Sequence, residues 1–240
     1  MLKVRGLSKS FQVAGATHQV LRNLDFAVQD RDFFMVLGQS GCGKSTLLRL
    51  LGGFEKKDSG EILLDGKPVE NPSTDIMMVF QDFNQLFPWF TLEGNLLYAM
   101  KKAKVVVEGS DYGGYVARYL KMAGLWEFKD SYPHQLSGGM KQRGALARAL
   151  CLKPGVLLLD EPFSSLDAVT KEGLYGCVKE MAAQTGTTVV MVTHDIGEAL
   201  LLGTVIAVLS GKKGDFSGMF TRGMDGGWSG TREEMEACLL

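Results

Sequence analysis

The segment that begins at residue 38 has the residue types and spacing of a loop that binds phosphate. It fits the pattern G-x-x-x-x-G-K-[ST] and reads Gly38-Gln39-Ser40-Gly41-Cys42-Gly43-Lys44-Ser45, with Thr46 next. Glycines let successive backbone N–H groups turn inward around phosphate oxygens. We therefore expect residues 38–46 to bind a nucleotide, with the Lys44 ammonium on the β- and γ-phosphates and the Ser45 hydroxyl on Mg²⁺.

Two neighbouring acids follow a second apolar run. Asp160 and Glu161 come directly after Val156–Leu159 and precede Pro162. Charged groups at the end of a buried strand are costly unless a cation or water uses them. Asp160 suits a carboxylate just outside the direct ligands of Mg²⁺, and Glu161 suits a general base that polarises an attacking water. An acid pair that faces solvent is the alternative when this motif stands alone.

A third motif precedes a helical pattern that continues to Leu150. It reads Leu136-Ser137-Gly138-Gly139-Met140-Lys141-Gln142-Arg143. Ser137 suits a helix N-cap, and the two glycines expose backbone N–H groups at a helix N-terminus, where anions are favoured. The motif predicts a second anion site, with ordinary helix capping as the alternative.

The elements around these motifs alternate between strand and helix. Continuous apolar runs predict buried strands at Phe33–Leu37, Met77–Phe80, Val156–Leu159 and Thr188–Val192, and the Lys44–Leu51 pattern predicts a helix. Because parallel strands are buried on both faces, this pattern favours an α/β fold with a mainly parallel sheet covered by helices.

The middle of the chain, about residues 82–135, has no good buried-strand pattern. Val116, Tyr119 and Ala123 keep helical spacing, and Gly124 is placed to end that helix. The glycine-containing stretch Val105–Gly114 is interpreted as a loop. We therefore expect a helical insertion within the α/β domain.

Composition excludes several classes of protein. The 240 residues are 45% hydrophobic and 22% charged, which excludes a disordered chain, and the net charge of −1 gives no general attraction to nucleic acid. The four cysteines form no CxxC pair, so reduced thiols are expected rather than a zinc site or disulfides. The most apolar stretch, residues 199–209, is shorter than the about 20 residues that a spanning helix needs.

The three motifs, in this order, resemble the nucleotide-binding subunit of ABC transporters over about residues 2–210. The resemblance implies an α/β P-loop NTPase core whose mainly parallel sheet is flanked by helices. It also implies an antiparallel N-terminal β subdomain and an inserted α-helical subdomain at about residues 82–135. The ATPase domain is expected to span residues 1–210, and residues 211–240 form a short C-terminal tail in which Thr231 and Glu234 suit a capping box.

The resemblance also assigns further site residues. Phe11 matches the aromatic that stacks on adenine, with a core aromatic near an edge strand as the alternative. Gln81 matches the glutamine that senses Mg²⁺ and the attacking water. His194 matches the histidine that contacts the γ-phosphate, with a structural histidine as the alternative. Asp167 ends the run Ser164-Ser165-Leu166-Asp167, which matches the loop that crosses the dimer interface.

The sequence departs from the family pattern at three places. Arg31-Asp32 stands where Gly-Glu is usual, Gln39 replaces a common proline, and Gly203-Thr204 replaces Asp-Arg before the last expected strand. The first two do not touch the expected phosphate chemistry directly, so we expect local effects. The third concerns the geometry of the tail and not the site.

One phosphate loop and one LSGG motif imply a dimer by the same resemblance. Two chains pair head to tail, so that each ATP lies between Lys44 of one chain and Ser137 of the other, with Mg²⁺ as the metal. The second chain is either an identical copy or a paralogue. The implied partners are integral membrane permease subunits and a substrate-binding protein, at the cytoplasmic face of the cell membrane, and no nucleic acid is expected.

An aromatic segment follows Gln81. Its large apolar residues are either core or a groove that receives a short helix of the membrane subunit: Phe83, Leu86, Phe87, Pro88, Trp89 and Phe90. The groove interpretation requires Trp89 to be at least partly exposed. The runs FNQLFPWFTLEGN, HQLSGGMKQR and DEPFSSLDAVT resemble importers of nitrate, sulfonate, taurine and related oxyanions.

Three alternatives to an importer stay open at this point. The first is the ATPase of an efflux or lipoprotein-release system, which the same motifs would serve. The second, from a different class, is a soluble ABC-type ATPase of DNA repair or translation, although the long coiled coil or second ATPase unit of those proteins is missing. A plain phosphate-loop kinase would not explain the LSGG motif.

Overall fold

The computed structural model describes residues 1–13, 15–82, 84–164, 166–211 and 214–239, and for Glu108 and Val169 it describes the backbone alone. Phe83 and Ser165, both named above, lie outside the described residues. The chain forms two compact units. The first holds Met1–Ser73, Leu158–Glu161 and Thr188–Leu240, and the second holds Thr74–Leu157 and Pro162–Thr187.

Strands and helices are numbered in chain order. The strands are β1 (Leu2–Val13), β2 (Ala16–Val28), β3 (Phe33–Leu37), β4 (Ser59–Leu64), β5 (Lys67–Pro68), β6 (Ile76–Val79), β7 (Val156–Asp160), β8 (Thr188–Thr193), β9 (Val205–Leu209) and β10 (Phe216–Thr221). The helices are α1 (Lys44–Leu51), α2 (Leu92–Lys102), α3 (Tyr112–Met122), α4 (Gly138–Leu150), α5 (Ala168–Thr185), α6 (Ile196–Leu202) and α7 (Arg232–Ala237).

The strands form two sheets. A four-stranded sheet has the order β2-β1-β4-β5, and β1 pairs antiparallel with both β2 and β4. A six-stranded sheet has the order β10-β9-β3-β8-β7-β6, in which β3 pairs parallel with both β8 and β9. This arrangement confirms the α/β fold with a mainly parallel sheet and an antiparallel N-terminal sheet.

The core strands have the sequence that a two-sided sheet requires. Every residue of β3, β7 and β8 is buried, as their continuous apolar runs predict. The turn from β3 into α1 depends on Gly43, whose φ of 107° is in the left-handed region. A Cβ atom at Gly43 would lie 2.7 Å from Val20 Cγ1, so this sharp turn has no room for a side chain.

Side-chain caps start the helices of the second unit. Thr91, Asp111, Ser137 and Asp167 each accept a backbone hydrogen bond at the N-terminus of α2, α3, α4 and α5, respectively. Because Asp111 caps α3, this helix begins at Tyr112, so the expectation of a loop through Gly114 is wrong by three residues. Gly124 follows the helix with a φ of 64°, which confirms its predicted place at the C-terminus.

Two departures from the family pattern contact each other. The Phe33 N–H donates to Thr204 Oγ1 (3.0 Å), and this hydroxyl donates to Asp32 Oδ1 (3.1 Å). The residue before Asp32, Arg31, adopts a φ of 66°, a conformation that glycine reaches more easily. These changes therefore affect the start of β3 rather than its end, where the phosphate loop begins.

The C-terminal segment contains a strand that the sequence did not predict. β10 pairs antiparallel with β9 and extends the edge of the six-stranded sheet. The capping box of α7 is confirmed, because Thr231 Oγ1 accepts the Glu234 N–H (3.2 Å) and Glu234 Oε2 accepts the Thr231 N–H (2.8 Å). Met235 of this helix is buried, so α7 packs against the body of the first unit.

Candidate active site

The carboxyl ends of three buried strands adjoin in the first unit. The Gly38 N–H donates to the Thr193 carbonyl (3.2 Å), and the Glu161 N–H donates to the Val192 carbonyl (3.2 Å). These bonds bring together the chain segments that follow β3, β7 and β8. Ligands of α/β proteins bind at this edge of the sheet, so the three segments form the candidate active site.

The phosphate loop wraps around the lysine side chain. Lys44 is only 4% exposed, and its Nζ donates to the carbonyl oxygens of Gly38 (2.8 Å) and Gln39 (3.0 Å). Gly38 has no room for a side chain, because a Cβ atom there would lie 2.6 Å from Cys42 Sγ. The loop therefore holds one positive charge among backbone groups, at the N-terminus of α1.

Glu161 joins two other predicted catalytic residues. Its Oε1 lies 3.3 Å from Lys44 Nζ, and its Oε2 lies 2.9 Å from His194 Nδ1. Glu161 has a φ of 42°, which is unusual for a residue with a side chain and is typical of strained functional positions. Its side chain is largely buried, whereas that of His194 is about half exposed. The arrangement places an ammonium and an imidazole each next to one oxygen of the same carboxylate.

Ser45 and Asp160 form the second contact of the site. The Ser45 hydroxyl donates to Asp160 Oδ1 at 2.9 Å. Burial raises the pKa of the Asp160 carboxyl, while the hydrogen bond from Ser45 opposes this shift. A hydroxyl and a carboxylate are oxygen ligands of the kind that Mg²⁺ prefers, and a divalent cation would stabilise the buried carboxylate. These two residues therefore fit the predicted metal.

Buried groups that the sequence did not reveal support His194. Thr193 Oγ1 donates to Glu198 Oε2 (2.7 Å) and accepts the Asp195 N–H (3.0 Å), while Asp195 caps α6. Glu198 is buried, so its carboxylate fixes the end of β8 from inside the protein. An acidic residue within the apolar pattern of α6 is the one signal that could have identified it.

The rest of the phosphate loop differs in exposure. Gln39, Ser40 and Gly41 are exposed, whereas Cys42 is buried. Burial raises the pKa of the Cys42 thiol, which keeps it in the less reactive neutral form. The Gln39 side chain donates from Nε2 to the Leu239 carbonyl (2.9 Å), which connects the loop to the segment after α7.

The LSGG motif and Asp167 come together in the second unit. Ser137 is exposed, and its Oγ accepts the Met140 N–H (3.3 Å) at the start of α4. Asp167 caps α5 by accepting hydrogen bonds from Thr170 N (3.0 Å) and Thr170 Oγ1 (2.7 Å). Gly139 is required here, because a Cβ atom would lie 2.6 Å from Thr170 Cγ2. Gly139 thus allows the N-termini of α4 and α5 to approach closely.

Two other predicted site residues, Gln81 and Phe11, lie on different units of the chain. Gln81, also in the second unit, is exposed and donates from Nε2 to Ser164 Oγ (3.2 Å). Phe11 lies on β1 of the first unit, opposite His18 of β2, and is partly buried. Ser40, Ser45 and Thr46 lie in or directly after the phosphate loop, as their sequence positions require.

The aromatic segment forms a cluster that continues onto α2. Phe87 stacks on Trp89 with ring centroids 5.6 Å apart, and both Phe87 and Phe90 contact Tyr98 of α2. Trp89 is 66% exposed, which confirms the expectation that it is at least partly exposed. Leu86 is buried, so the segment turns from the core to the surface within three residues. Tyr98 was not predicted as part of this cluster.

A buried asparagine holds the aromatic cluster in place. Asn95 has no exposed surface, and its Oδ1 accepts the Phe87 N–H at 2.7 Å. Its Nδ2 lies within hydrogen-bond distance of the carbonyls of Phe87, Phe90 and Thr91. A polar residue on the apolar face of α2 was the signal that could have identified this anchor.

The sequence profile of the ABC transporter family matches residues 21–164. The chain belongs to the ABC transporter family. Among its relatives, the nitrate import ATP-binding protein NrtD of Synechococcus elongatus is 42% identical over 85% of this chain and 74% of that protein. The aliphatic sulfonates import ATP-binding protein SsuB of Bacillus cereus is 41% identical over 89% of this chain and 82% of that protein.

A solved ABC structure has the same fold as this ABC ATPase. It is a dimeric ATP-binding cassette in a post-hydrolysis state with ADP and Pi, with a TM-score of 0.80 and 33% identity, covering 93% of this chain and all of that one. The chain is therefore the ATP-binding subunit of an ABC transporter and an ATPase. Within the described part of the chain, no helix has the length and apolar character needed to cross a bilayer.

Proposed function

We propose that this ATPase powers the import of a small oxyanion, such as nitrate, a sulfonate or taurine, through partner membrane permeases. The contact of Glu161 with both Lys44 and His194 carries the catalytic part of the proposal. The names of the nitrate and sulfonate import relatives support the substrate class. A substrate-binding protein that delivers the oxyanion, and a peripheral place at the cytoplasmic face of the membrane, complete the proposed system.

The charges at the site suggest a separate catalytic role for each of its residues. Phosphates that enter the loop compete with Glu161 and the loop carbonyls for the Lys44 ammonium, because a charge-assisted bond to phosphate is strong. Glu161 is then free to take the proton of the attacking water, and His194 contacts the γ-phosphate. Ser45 and Asp160 would hold Mg²⁺, which neutralises charge on the β- and γ-oxygens. The role of Gln81 as a sensor of Mg²⁺ and water rests on the family resemblance.

The proposed dimer is head to tail, with the LSGG motif of one chain on the ATP of the other. Ser137 is exposed at the start of α4, where backbone N–H groups and the helix dipole favour an anion. The partner is either a second copy or a paralogue, and Asp167 is proposed to lie at the interface. ATP binding would close this interface and hydrolysis would open it, which is a two-state element biased by nucleotide.

Replacing Ser137 by arginine is expected to prevent this closure. The long side chain would occupy the space that the facing phosphate needs, so ATP and Mg²⁺ would no longer convert monomer into dimer on size exclusion. Both changes are measured in a chain that also carries Glu161→Gln, so that ATP stays intact. The matched control is Ser110→Arg, which alters an exposed serine of the same unit outside the motif and should leave the ATP-dependent dimer unchanged. An ATP-dependent dimer of Ser137→Arg would contradict the proposed interface.

The cluster of Phe87, Trp89, Phe90 and Tyr98 is the proposed docking surface for the membrane subunit. An exposed aromatic at an interface centre contributes a large share of binding energy. Trp89→Ala should therefore fold with a loss of at most about 1 kcal/mol, compared with about 3–5 kcal/mol for a buried aromatic. We expect basal ATPase activity to persist while assembly with the permease and transport are lost.

Thermal unfolding, ATPase assays and co-purification from membranes measure these three properties of Trp89→Ala. Phe128→Ala is the matched control, since Phe128 is 44% exposed and lies in the same unit outside the cluster. An unfolded Trp89→Ala chain, or one that transports normally, would show that the cluster is not the docking surface.

Identification of the membrane partner tests the proposed substrate class. We expect the chain to co-purify from membranes with permease subunits whose system also contains a substrate-binding protein for an oxyanion. If the partner belongs to an efflux or lipoprotein-release system, the proposed function is wrong and the ATPase serves export. Recovery with DNA-repair or ribosomal components instead would favour the soluble class of ABC ATPases.

A further inference from the structure

A buried lysine of β1 has no role in the site described above. Lys9 is only 8% exposed, and its ammonium donates to Glu55 Oε1 (2.8 Å) and to the Lys56 carbonyl (2.7 Å). A second carboxylate, that of Asp58, lies 3.7 Å away. A buried ammonium is costly unless it is paired, and this one is fixed in one position by several oxygens.

The lysine ammonium covers one face of the Phe11 ring. Phe11 follows Lys9 by two residues along β1, and Lys9 Nζ lies 4.8 Å from the centroid of the Phe11 ring. This distance is within the range of a cation–π interaction. A cation that is held on one face draws π density towards itself, so the opposite face of the ring becomes a better surface for an electron-rich purine.

The same lysine ties β1 to the segment that follows α1. Glu55, which accepts from Lys9, donates its own N–H to the Arg49 carbonyl in the last turn of α1 (3.2 Å). Because α1 begins at Lys44, the Lys9–Glu55 pair connects the strand that carries Phe11 to the helix that carries the phosphate-binding lysine.

Asp58 strengthens this connection from the other side of Lys9. Its N–H donates to the Ser8 carbonyl (3.0 Å), and its Oδ2 accepts the Ser10 N–H (2.7 Å). The residues on both sides of Lys9 are therefore bonded to the segment after α1. These backbone contacts hold Lys9 beside Glu55, where its ammonium adds a side-chain contact to the same segment.

We propose that Lys9 is a positioning residue for the adenine base, which it serves by fixing the Phe11 ring and by tying β1 to α1. The inference rests on the proposed roles of Phe11 and the phosphate loop, and it deepens them. Lys9 sets the orientation of the stacking ring and the distance from the base site to the phosphate site. The side chain does not touch the reacting atoms.

Affinity measurements with and without a base test this role. The dissociation constants of ATP and of inorganic triphosphate are measured by calorimetry for Lys9→Met, Lys9→Arg, Phe11→Leu and the double variant Lys9→Met/Phe11→Leu. Lys9→Met should weaken ATP binding roughly three- to tenfold, because a loosely held Phe11 ring keeps only part of the affinity that one base–aromatic stacking contact contributes. Triphosphate, which has no base, should bind as it does to the wild type.

The other variants separate positioning from a merely structural role. Lys9→Arg should restore ATP affinity, because a guanidinium can both pair with Glu55 and stack on the ring. In the Phe11→Leu background, Lys9→Met should cause no further loss of ATP affinity. If Lys9→Met does not fold, Glu55→Gln carries the test, with a smaller loss of ATP affinity and unchanged triphosphate affinity expected.

Three outcomes would overturn the inference. Lys9→Met could lower the melting temperature but bind ATP like the wild type, or it could weaken ATP and triphosphate equally. A wild-type ATP affinity of Phe11→Leu would show that Phe11 does not stack on the base, which refutes this inference. The assignment of the phosphate loop would not be affected. A wild-type chain that binds neither ATP nor triphosphate would instead refute the proposed phosphate site itself.

Discussion

Replacing Lys44 by alanine is expected to abolish ATP hydrolysis and to weaken ATP binding strongly. The change removes the one ammonium that the phosphate loop holds among its carbonyls, 2.8 Å from Gly38 O and 3.3 Å from Glu161 Oε1. Loss of one group that stabilises charge in a transition state costs about 10²–10³ in rate, and here binding of the ground state is lost as well. Phosphate release and calorimetric titration with ATP measure the two effects.

A matched lysine controls for the loss of charge in this experiment. Lys57 belongs to the same unit and pairs with Glu70 at 2.9 Å, outside the site, so Lys57→Ala should keep full activity. Thermal melts of both variants show whether the fold survives, since Lys44→Ala also leaves two loop carbonyls without a donor. Wild-type hydrolysis by a folded Lys44→Ala chain would refute the assignment of the phosphate loop.

Local sequence signals were sufficient to place the phosphate-binding elements. β3 and α1 have the bounds that the apolar run and the glycine–lysine pattern predict, because the turn between them depends on residues of the turn itself. The same holds for α4, which begins directly after the serine that caps it. Chemistry and structure are specified here by one short segment, so a sequence pattern can identify both.

Other elements depend on contacts that a local pattern does not contain. β10 contains a glycine and alternates between partly buried and exposed residues, and it becomes a strand by pairing with β9. The start of α3 was missed because the Asp111 cap outweighs the two glycines of its first turn. Residues that support the site, such as Glu198 and Asn95, are recognised only once their buried partners are known.

In the aromatic cluster, the exposure of each side chain could not be predicted from the local sequence pattern. Leu86 and Trp89 belong to one apolar run, yet one is buried and the other is 66% exposed. The difference arises because Asn95 binds the backbone at Phe87 and Phe90 and directs the run outward. A sequence pattern could therefore offer core and docking surface as alternatives but could not choose between them.

Replacing Glu161 by glutamine is expected to stop turnover while ATP binding persists. The amide has nearly the shape of the carboxylate, so its oxygen can still accept from Lys44 and its nitrogen can face His194, which keeps the geometry of the site. It cannot accept the proton of the attacking water, and loss of a general base costs about 10²–10⁴ in rate. ATP affinity should equal or exceed that of the wild type, because the amide competes less strongly for the Lys44 ammonium.

Size exclusion with ATP and Mg²⁺ gives the second readout for Glu161→Gln. Because ATP stays intact, the variant should shift from monomer to dimer, whereas the wild type returns to monomer as it hydrolyses its nucleotide. Glu61→Gln is the matched control, since Glu61 is an exposed acid of the same unit outside the site, and it should hydrolyse ATP normally. If Glu161→Gln turned over at the wild-type rate, Glu161 would not be the base, and its contacts with Lys44 and His194 would only hold those two side chains in place.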